Sequence, residues 1–176
     1  MSKERALRMR QKWLNNKHMY CILDTETTGL GKVDKIVEIA IIDLAGNVLL
    51  NTLVNPGIRI NKGAEMVHGI SNSMVKDAPD VREVGMKVRE ILKNRTMIAY
   101  NAKFDARMIR QSFGFNVRYE CLMHNVMDYI ESRRFVKLEV ATASIRNESQ
   151  EHRALGDCYL CLDLIKSTPG IEEEVS

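Results

Sequence analysis

A chain of 176 residues that is 45% hydrophobic is long enough to bury one substantial core and too apolar to stay disordered. Its net charge of +3 permits a polyanionic partner without demanding one, and 6% aromatic residues argue against an extended base-stacking platform. The four cysteines are Cys21, Cys121, Cys158 and Cys161; a single C-x-x-C falls short of the paired spacing of a structural zinc site, so they read as core thiols of a reducing compartment. With no signal-peptide core and no apolar run of membrane-spanning length, a soluble, cytoplasmic protein is expected.

Residues 1–17 carry Lys3, Arg5, Arg8, Arg10, Lys12 and Lys17 against Glu4 alone, with Ala6, Leu7, Met9, Trp13 and Leu14 as an apolar stripe. This predicts a basic helical extension, solvated except where Trp13 packs on the domain edge. Residues 18–24 read as a buried strand, because Tyr20, Cys21, Ile22 and Leu23 follow one another without interruption. Residues 35–43 and 48–55, joined by the Ala45-Gly46-Asn47 turn, continue it as a meander. Glu38 interrupts the second strand and is expected to face solvent by alternation rather than to stand behind the acids discussed below.

Pro56 and Gly57 open a long connection to Ile70, and Ser71 is placed to cap a short helix reaching Asp77. A helix follows Pro79, with Val81, Val84, Val88, Ile91 and Leu92 at helical spacing. Residues 97–100 form a short apolar strand, 103–113 a helix, 115–120 a fifth strand and 122–133 a helix. Residues 138–145 predict another helix, 146–151 a polar loop and 152–167 a long final helix, before an acidic tail over 168–176. A meander followed by alternating strands and helices predicts one mixed α/β domain over 18–167.

Asp24 and Glu26 stand two apart at the end of the first strand, so their side chains share a face. Like charges that close repel, unless a cation lies between them, and hard oxygen ligands favour Mg²⁺ or Mn²⁺. Asp105 lies near the start of one predicted helix, and Asp157 follows His152 by five residues in the last. An acid in a first helical turn is unremarkable alone; four acids and a histidine beside buried elements are not.

Asp24-Thr25-Glu26-Thr27-Thr28-Gly29-Leu30 resembles the first motif of the DEDD exonucleases, the proofreading-type 3′→5′ superfamily. Val67-His68-Gly69-Ile70-Ser71 resembles its linking segment, Asn101-Ala102-Lys103-Phe104-Asp105 its second motif and His152-Arg153-Ala154-Leu155-Gly156-Asp157 its third. All four occur in order between about residues 18 and 167, and Arg153 where the tyrosine branch has Tyr marks the histidine (DEDDh) branch. Tyr100 departs from the pattern, since many relatives have His there.

The resemblance implies a ribonuclease H-like fold, with a five-stranded mixed sheet flanked by helices. It implies hydrolysis with two divalent cations, Mg²⁺ or Mn²⁺, one activating water and one stabilising the leaving oxygen about 3.5–4 Å away. Asp24 would bridge both, Glu26 and Asp157 would hold the nucleophile-side ion, and Asp105 would help the other. His152 would be the general base, since histidine titrates near pH 6.5, about where such a role needs it. Thr27, Thr28 and Leu30 would cradle the terminal nucleotide, with His68 and Asn101 as further contacts; Phe104 reads as core, and His18 and His124 as structural.

Single-stranded or frayed DNA is the expected substrate, as for the small stand-alone DNA exonucleases the last motif resembles, and a DNA polymerase is an alternative partner. RNA would suit the same acids, because discrimination depends on contacts to the 2′-OH. A catalytically silent nucleic-acid- or polymerase-binding module is the third reading, disfavoured because binding alone has no need of five costly polar groups.

Overall fold

The structure, a computed structural model, describes residues 2–143, 145 and 152–167. The predicted loop over 146–151 and the acidic tail over 168–176 lie outside the described residues. The chain forms α1 (Lys3–Asn15), β1 (Tyr20–Thr27), β2 (Ile36–Ile42), β3 (Val48–Leu53), α2 (Lys62–His68), α3 (Asn72–Val75), α4 (Val81–Leu92), β4 (Thr96–Ala99), α5 (Ala102–Phe113), β5 (Tyr119–Cys121), α6 (Leu122–Tyr129), α7 (Leu138–Thr142) and α8 (Ala154–Lys166).

The five strands make one sheet in the order β3-β2-β1-β4-β5. β1, β2 and β3 pair antiparallel, whereas β4 joins β1 and β5 joins β4 in parallel. The sheet therefore changes sense at β1, and β1 outruns its parallel neighbour. Only Tyr20, Cys21 and Ile22 pair with β4, so the β4 side of Asp24–Thr27 is left to the helices.

Strand alternation divides the core between the two sheet faces. Tyr20, Ile22, Ala40 and Ile42 pack with Leu122, Val126, Cys158 and Leu162 on the face covered by α6 and α8. Cys21, Leu23, Ile39 and Ile41 pack with Val84, Val88, Met108 and Ile109 on the face covered by α4 and α5. All four cysteines are free thiols, and Cys21, Cys158 and Cys161 are buried in these clusters.

Two local assignments shift for identifiable reasons, and the expected cap is seen in detail. The connection before Ile70 contains α2, capped by the Asn61 side chain on the Ala64 amide and stopped by Gly69 at φ 71°. Ser71 does cap α3, but the next helix takes its cap from Asp80, which accepts from the Arg82 and Glu83 amides. The last helix starts at Ala154, so His152 stands before it.

The amino-terminal helix is part of the core. Trp13 is fully buried in the α6/α8 cluster, with its indole N–H donating to the Glu120 carboxylate. Arg10 is 3% exposed; it donates to Asn125 Oδ1 at 2.6 Å and to the Leu164 carbonyl at 2.8 Å, and lies over the Tyr129 ring. Among the described residues no helix is long and apolar enough to cross a membrane.

Candidate active site

Asp24 and Glu26 occupy even positions of β1, on the face toward α8, and Thr25 points to the opposite face, toward α5. α8 packs on β1 and β2 and presents Asp157 from its first turn. Carboxylate oxygens of Asp24, Glu26 and Asp157 lie within 4.8 Å of one another. Asp105, in the first turn of α5 and 4% exposed, accepts a 2.9 Å hydrogen bond from Thr25 Oγ1. Adjacent residues of β1 thus recruit acids from helices on both sides of the sheet.

The proton affinities follow from this crowding. Burial pushes Asp24 well above the ordinary carboxylate range, and Asp105, Asp157, Glu26 and Glu38 push it further. Glu26 is raised to about 8, first by burial and then by Asp157. Asp105 is raised by burial as well, against the opposing hydrogen bond from Thr25. Arg153 offsets this crowding at Glu26 only in part, and all the donors of the group are hard oxygens. The group therefore fits divalent cations such as Mg²⁺ or Mn²⁺.

His152 is half-buried and takes φ 44°, a left-handed conformation that a non-glycine residue adopts only when its surroundings hold it there. Arg153, next to it, is bound through Nε to Glu38 Oε1 and Oε2 at 3.1 and 3.0 Å, and through a terminal nitrogen to Oε1 at 2.5 Å. The Ala154 amide also donates to Glu38 Oε2, at 3.1 Å. This overturns the solvent-facing expectation for Glu38, which is 4% exposed and pairs directly across the sheet with Glu26. Alternation predicts exposure only for a strand with one wet face; every residue of β2 is buried.

The expected nucleotide-cradling residues are less uniform than their motif. Leu30 projects into solvent at 78% exposure, from a loop whose Leu30 and Gly31 carbonyls accept from Arg107 at 3.2 and 3.0 Å. A side chain at Gly29 would drive a Cβ into Asn61 Nδ2 and bring it to 2.8 and 2.9 Å from the Asp34 carboxylate oxygens, so these two side chains would have to move to admit it. Thr28 is fully buried and donates to Asp34 Oδ1 at 2.6 Å, and Thr27 donates to the Gly29 carbonyl at 2.9 Å. Both hydroxyls shape the loop.

His68 is 5% exposed and accepts the Ile70 amide at Nδ1, 3.0 Å away, so its Nε2 carries the proton and reaches the Thr27 carbonyl at 3.1 Å. Neither nitrogen is left for a direct substrate hydrogen bond; the ring instead ties α2 to the end of β1. Asn101 is exposed and lines a cleft of about 510 Å³ with Lys103, Phe104, Arg107, Arg110 and Tyr119. Phe104 packs against the α5-side core with its outer face toward Arg107. Tyr100 is buried, donating to the Val136 carbonyl at 2.8 Å. His124 is exposed on α6. Sequence reading weighs Glu38 as a partner behind the acids and sets it aside for the solvent-facing reading, and it gives no role there to Thr25, which binds Asp105.

Residues 21–165 match the sequence model of the RNase T exonuclease family. An uncharacterized exonuclease, CP81, of Escherichia phage 186 is 34% identical over 175 residues, covering 88% of this chain and 89% of that protein. A PolC-type DNA polymerase III of Oceanobacillus iheyensis is 29% identical over 173 residues, but these make up only 12% of its length. Among solved structures, Exonuclease X in complex with 5′ overhanging duplex DNA superposes with a TM-score of 0.65 at 27% identity, over 85% of this chain and 93% of that one. Exonuclease I, at 18% identity and a TM-score of 0.73, shares the fold over 85% of this chain and 41% of its own. The mixed sheet with an acidic centre at the end of β1 thus sits in a chain that belongs to the DEDD exonuclease family, and the protein is a nuclease of the hydrolase class.

Proposed function

We propose that the protein is a metal-dependent 3′→5′ exonuclease that releases nucleoside monophosphates from single-stranded or frayed DNA ends. The observation that carries this is the meeting of Asp24, Glu26 and Asp157 carboxylates within 4.8 Å, with Asp105 held by Thr25 beside them. Phosphodiester hydrolysis needs a hydroxide-like nucleophile and a sink for charge on the leaving oxygen, and a pair of Mg²⁺ or Mn²⁺ ions supplies both when bound. Asp24, Glu26, Asp105 and Asp157 are the residues that would hold the ions. His152, just before α8 and five residues ahead of Asp157, is not among the side chains that meet within 4.8 Å; it is the group assigned to take the proton of the attacking water. Leu30, exposed beside the centre, meets the terminal base, and the backbone of residues 27–31, shaped by Thr27 and Thr28, receives the sugar and phosphate.

DNA is favoured as the polymer because the structurally similar Exonuclease X was solved on 5′ overhanging duplex DNA and the sequence relatives include DNA polymerase III chains. The test is an oligonucleotide labelled at either end, as DNA and as RNA, incubated with Mg²⁺, with Mn²⁺ and with chelator. Ladders that shorten from the 3′ end of DNA only when metal is present are expected, and Asp24→Ala should abolish them while circular dichroism stays native. Shortening from the 5′ end alone would overturn the polarity, faster loss of RNA would overturn the substrate, and no metal-dependent loss of either would point to a binding module.

A further inference from the structure

Glu38 is a full carboxylate in the middle of a strand whose seven residues are all buried. Burying such a charge is costly unless it is paired and fully hydrogen-bonded. Here the cost is met in an unusually directed way. One oxygen accepts two Arg153 contacts, and the other accepts Arg153 Nε at 3.0 Å and the Ala154 amide at 3.1 Å. Arg153 is the N-cap that follows His152, and Ala154 is the first residue of α8. Glu38 therefore ties down the entry to that helix from the central sheet, 115 residues away in sequence. The Arg153 side chain remains 43% exposed, so its fork, not its burial, makes the attachment.

From this we infer that Glu38 is a positioning residue for the reaction: through Arg153 and Ala154 it fixes the entry to α8, and with it the backbone that carries His152 one residue before the clamp. The inference rests on the exonuclease reading for its catalytic consequence, although not for the attachment itself. Three features converge on it. Glu38 is directly opposite Glu26, so the anchor and a carboxylate of the centre share one rigid cross-strand pair. His152 holds φ 44°, which needs an external restraint, and the Glu38 clamp begins at the very next residue. Asp157 lies only one turn farther along the same helix.

The test uses Glu38→Gln, which keeps shape and one acceptor oxygen but loses the charge, and Arg153→Lys, which keeps the charge but loses the fork. Each is made alone and in a His152→Ala background. Hydrogen exchange across residues 152–158 reads the attachment without reference to activity; both single variants should speed it while thermal unfolding stays within a few degrees of wild type. On a single-stranded DNA oligonucleotide at saturating Mn²⁺, kcat should fall about 10- to 100-fold, the scale expected when a reacting group is misplaced by about 1 Å, with KM little changed. In the His152→Ala background the same substitutions should change kcat less than about threefold, because the group they position is gone.

Unchanged exchange over 152–158 would overturn the inference, and so would an equal loss of kcat with and without His152, which would mark a general structural role. If the wild-type protein lacks nuclease activity while exchange still rises in both variants, the exonuclease reading fails and the anchoring by Glu38 stands.

Discussion

Thr25 and Asp105, 80 positions apart, are joined by a buried side-chain hydrogen bond of 2.9 Å that crosses from β1 to α5. Thr25 lies between two carboxylates that point to the other face, so this bond is what ties the α5 acid to the strand carrying the centre. Replacing Thr25 by Val keeps the shape and removes the donor. The Asp105 carboxylate, already raised by burial, then rises further, because the largest of the hydrogen bonds that favour its ionised form is lost. Mn²⁺ affinity, measured by calorimetry, should fall about 10- to 100-fold, as for other partners that orient metal ligands.

Removing one charge from the centre should stabilise the metal-free protein. Glu26 holds its proton up to about pH 8, against an ordinary value of 4.5. Between those values the folded state binds more protons than the unfolded one, so this group's contribution to stability declines as pH rises through the window. Glu26→Gln should therefore raise the Tm in chelator by at least about 3 °C at pH 8, where 1 kcal/mol is worth about 2–4 °C in a chain of this size. At pH 4.5 the difference should vanish. Added Mg²⁺ should raise the wild-type Tm more at pH 8 than at pH 5.5, and the variant little at either.

His68 offers a separation between structural and substrate roles. Its ring satisfies the Ile70 amide and the Thr27 carbonyl, both in buried surroundings. His68→Ala leaves them unpartnered and should cost about 2–4 kcal/mol in chemical denaturation. A residue that touched only substrate would leave that midpoint in place.

Leu30 should behave in the opposite way. At 78% exposure its removal costs the fold almost nothing, within about 0.5 kcal/mol. If it packs on the terminal base, Leu30→Ala forfeits about 1–2 kcal/mol of apolar burial there. KM for a short DNA oligonucleotide should rise about 5- to 30-fold, with the Tm unchanged.

The amino-terminal helix should prove indispensable to the domain. Trp13 is fully buried against α6 and α8, and Trp13→Ala should cost about 3–5 kcal/mol, read by urea unfolding. A solvated extension would tolerate the change.

What could be read from the residues in advance follows from where physical signals are local. The spacing of Asp24 and Glu26 declares a shared face by itself, and Asp105 and Asp157 declare themselves by their motifs, so the acids of the centre were legible. Glu38 was not, because alternation is informative only when one face of a strand is wet and β2 is covered on both. α2 was hidden in a turn-rich connection, although Asn61 and Gly69 bracket it with ordinary start and stop residues. The burial of Arg10 was beyond reach, since its partners Asn125 and Leu164 are more than 100 residues away. His68 was expected as a substrate contact because it lies in the segment that resembles the family's linking motif, and its two backbone hydrogen bonds could not be read from the sequence.

The proton-laden state of the centre has a consequence for any rate measurement. Asp24, Glu26 and Asp105 are all raised, so cation uptake near neutrality must expel protons into solution. Binding heats will then vary with the ionisation enthalpy of the buffer, and apparent affinity will tighten as the medium becomes more alkaline. If the centre works with metal as proposed, an acidic limb in the rate profile at limiting metal belongs to the carboxylates, and it should recede at saturating metal.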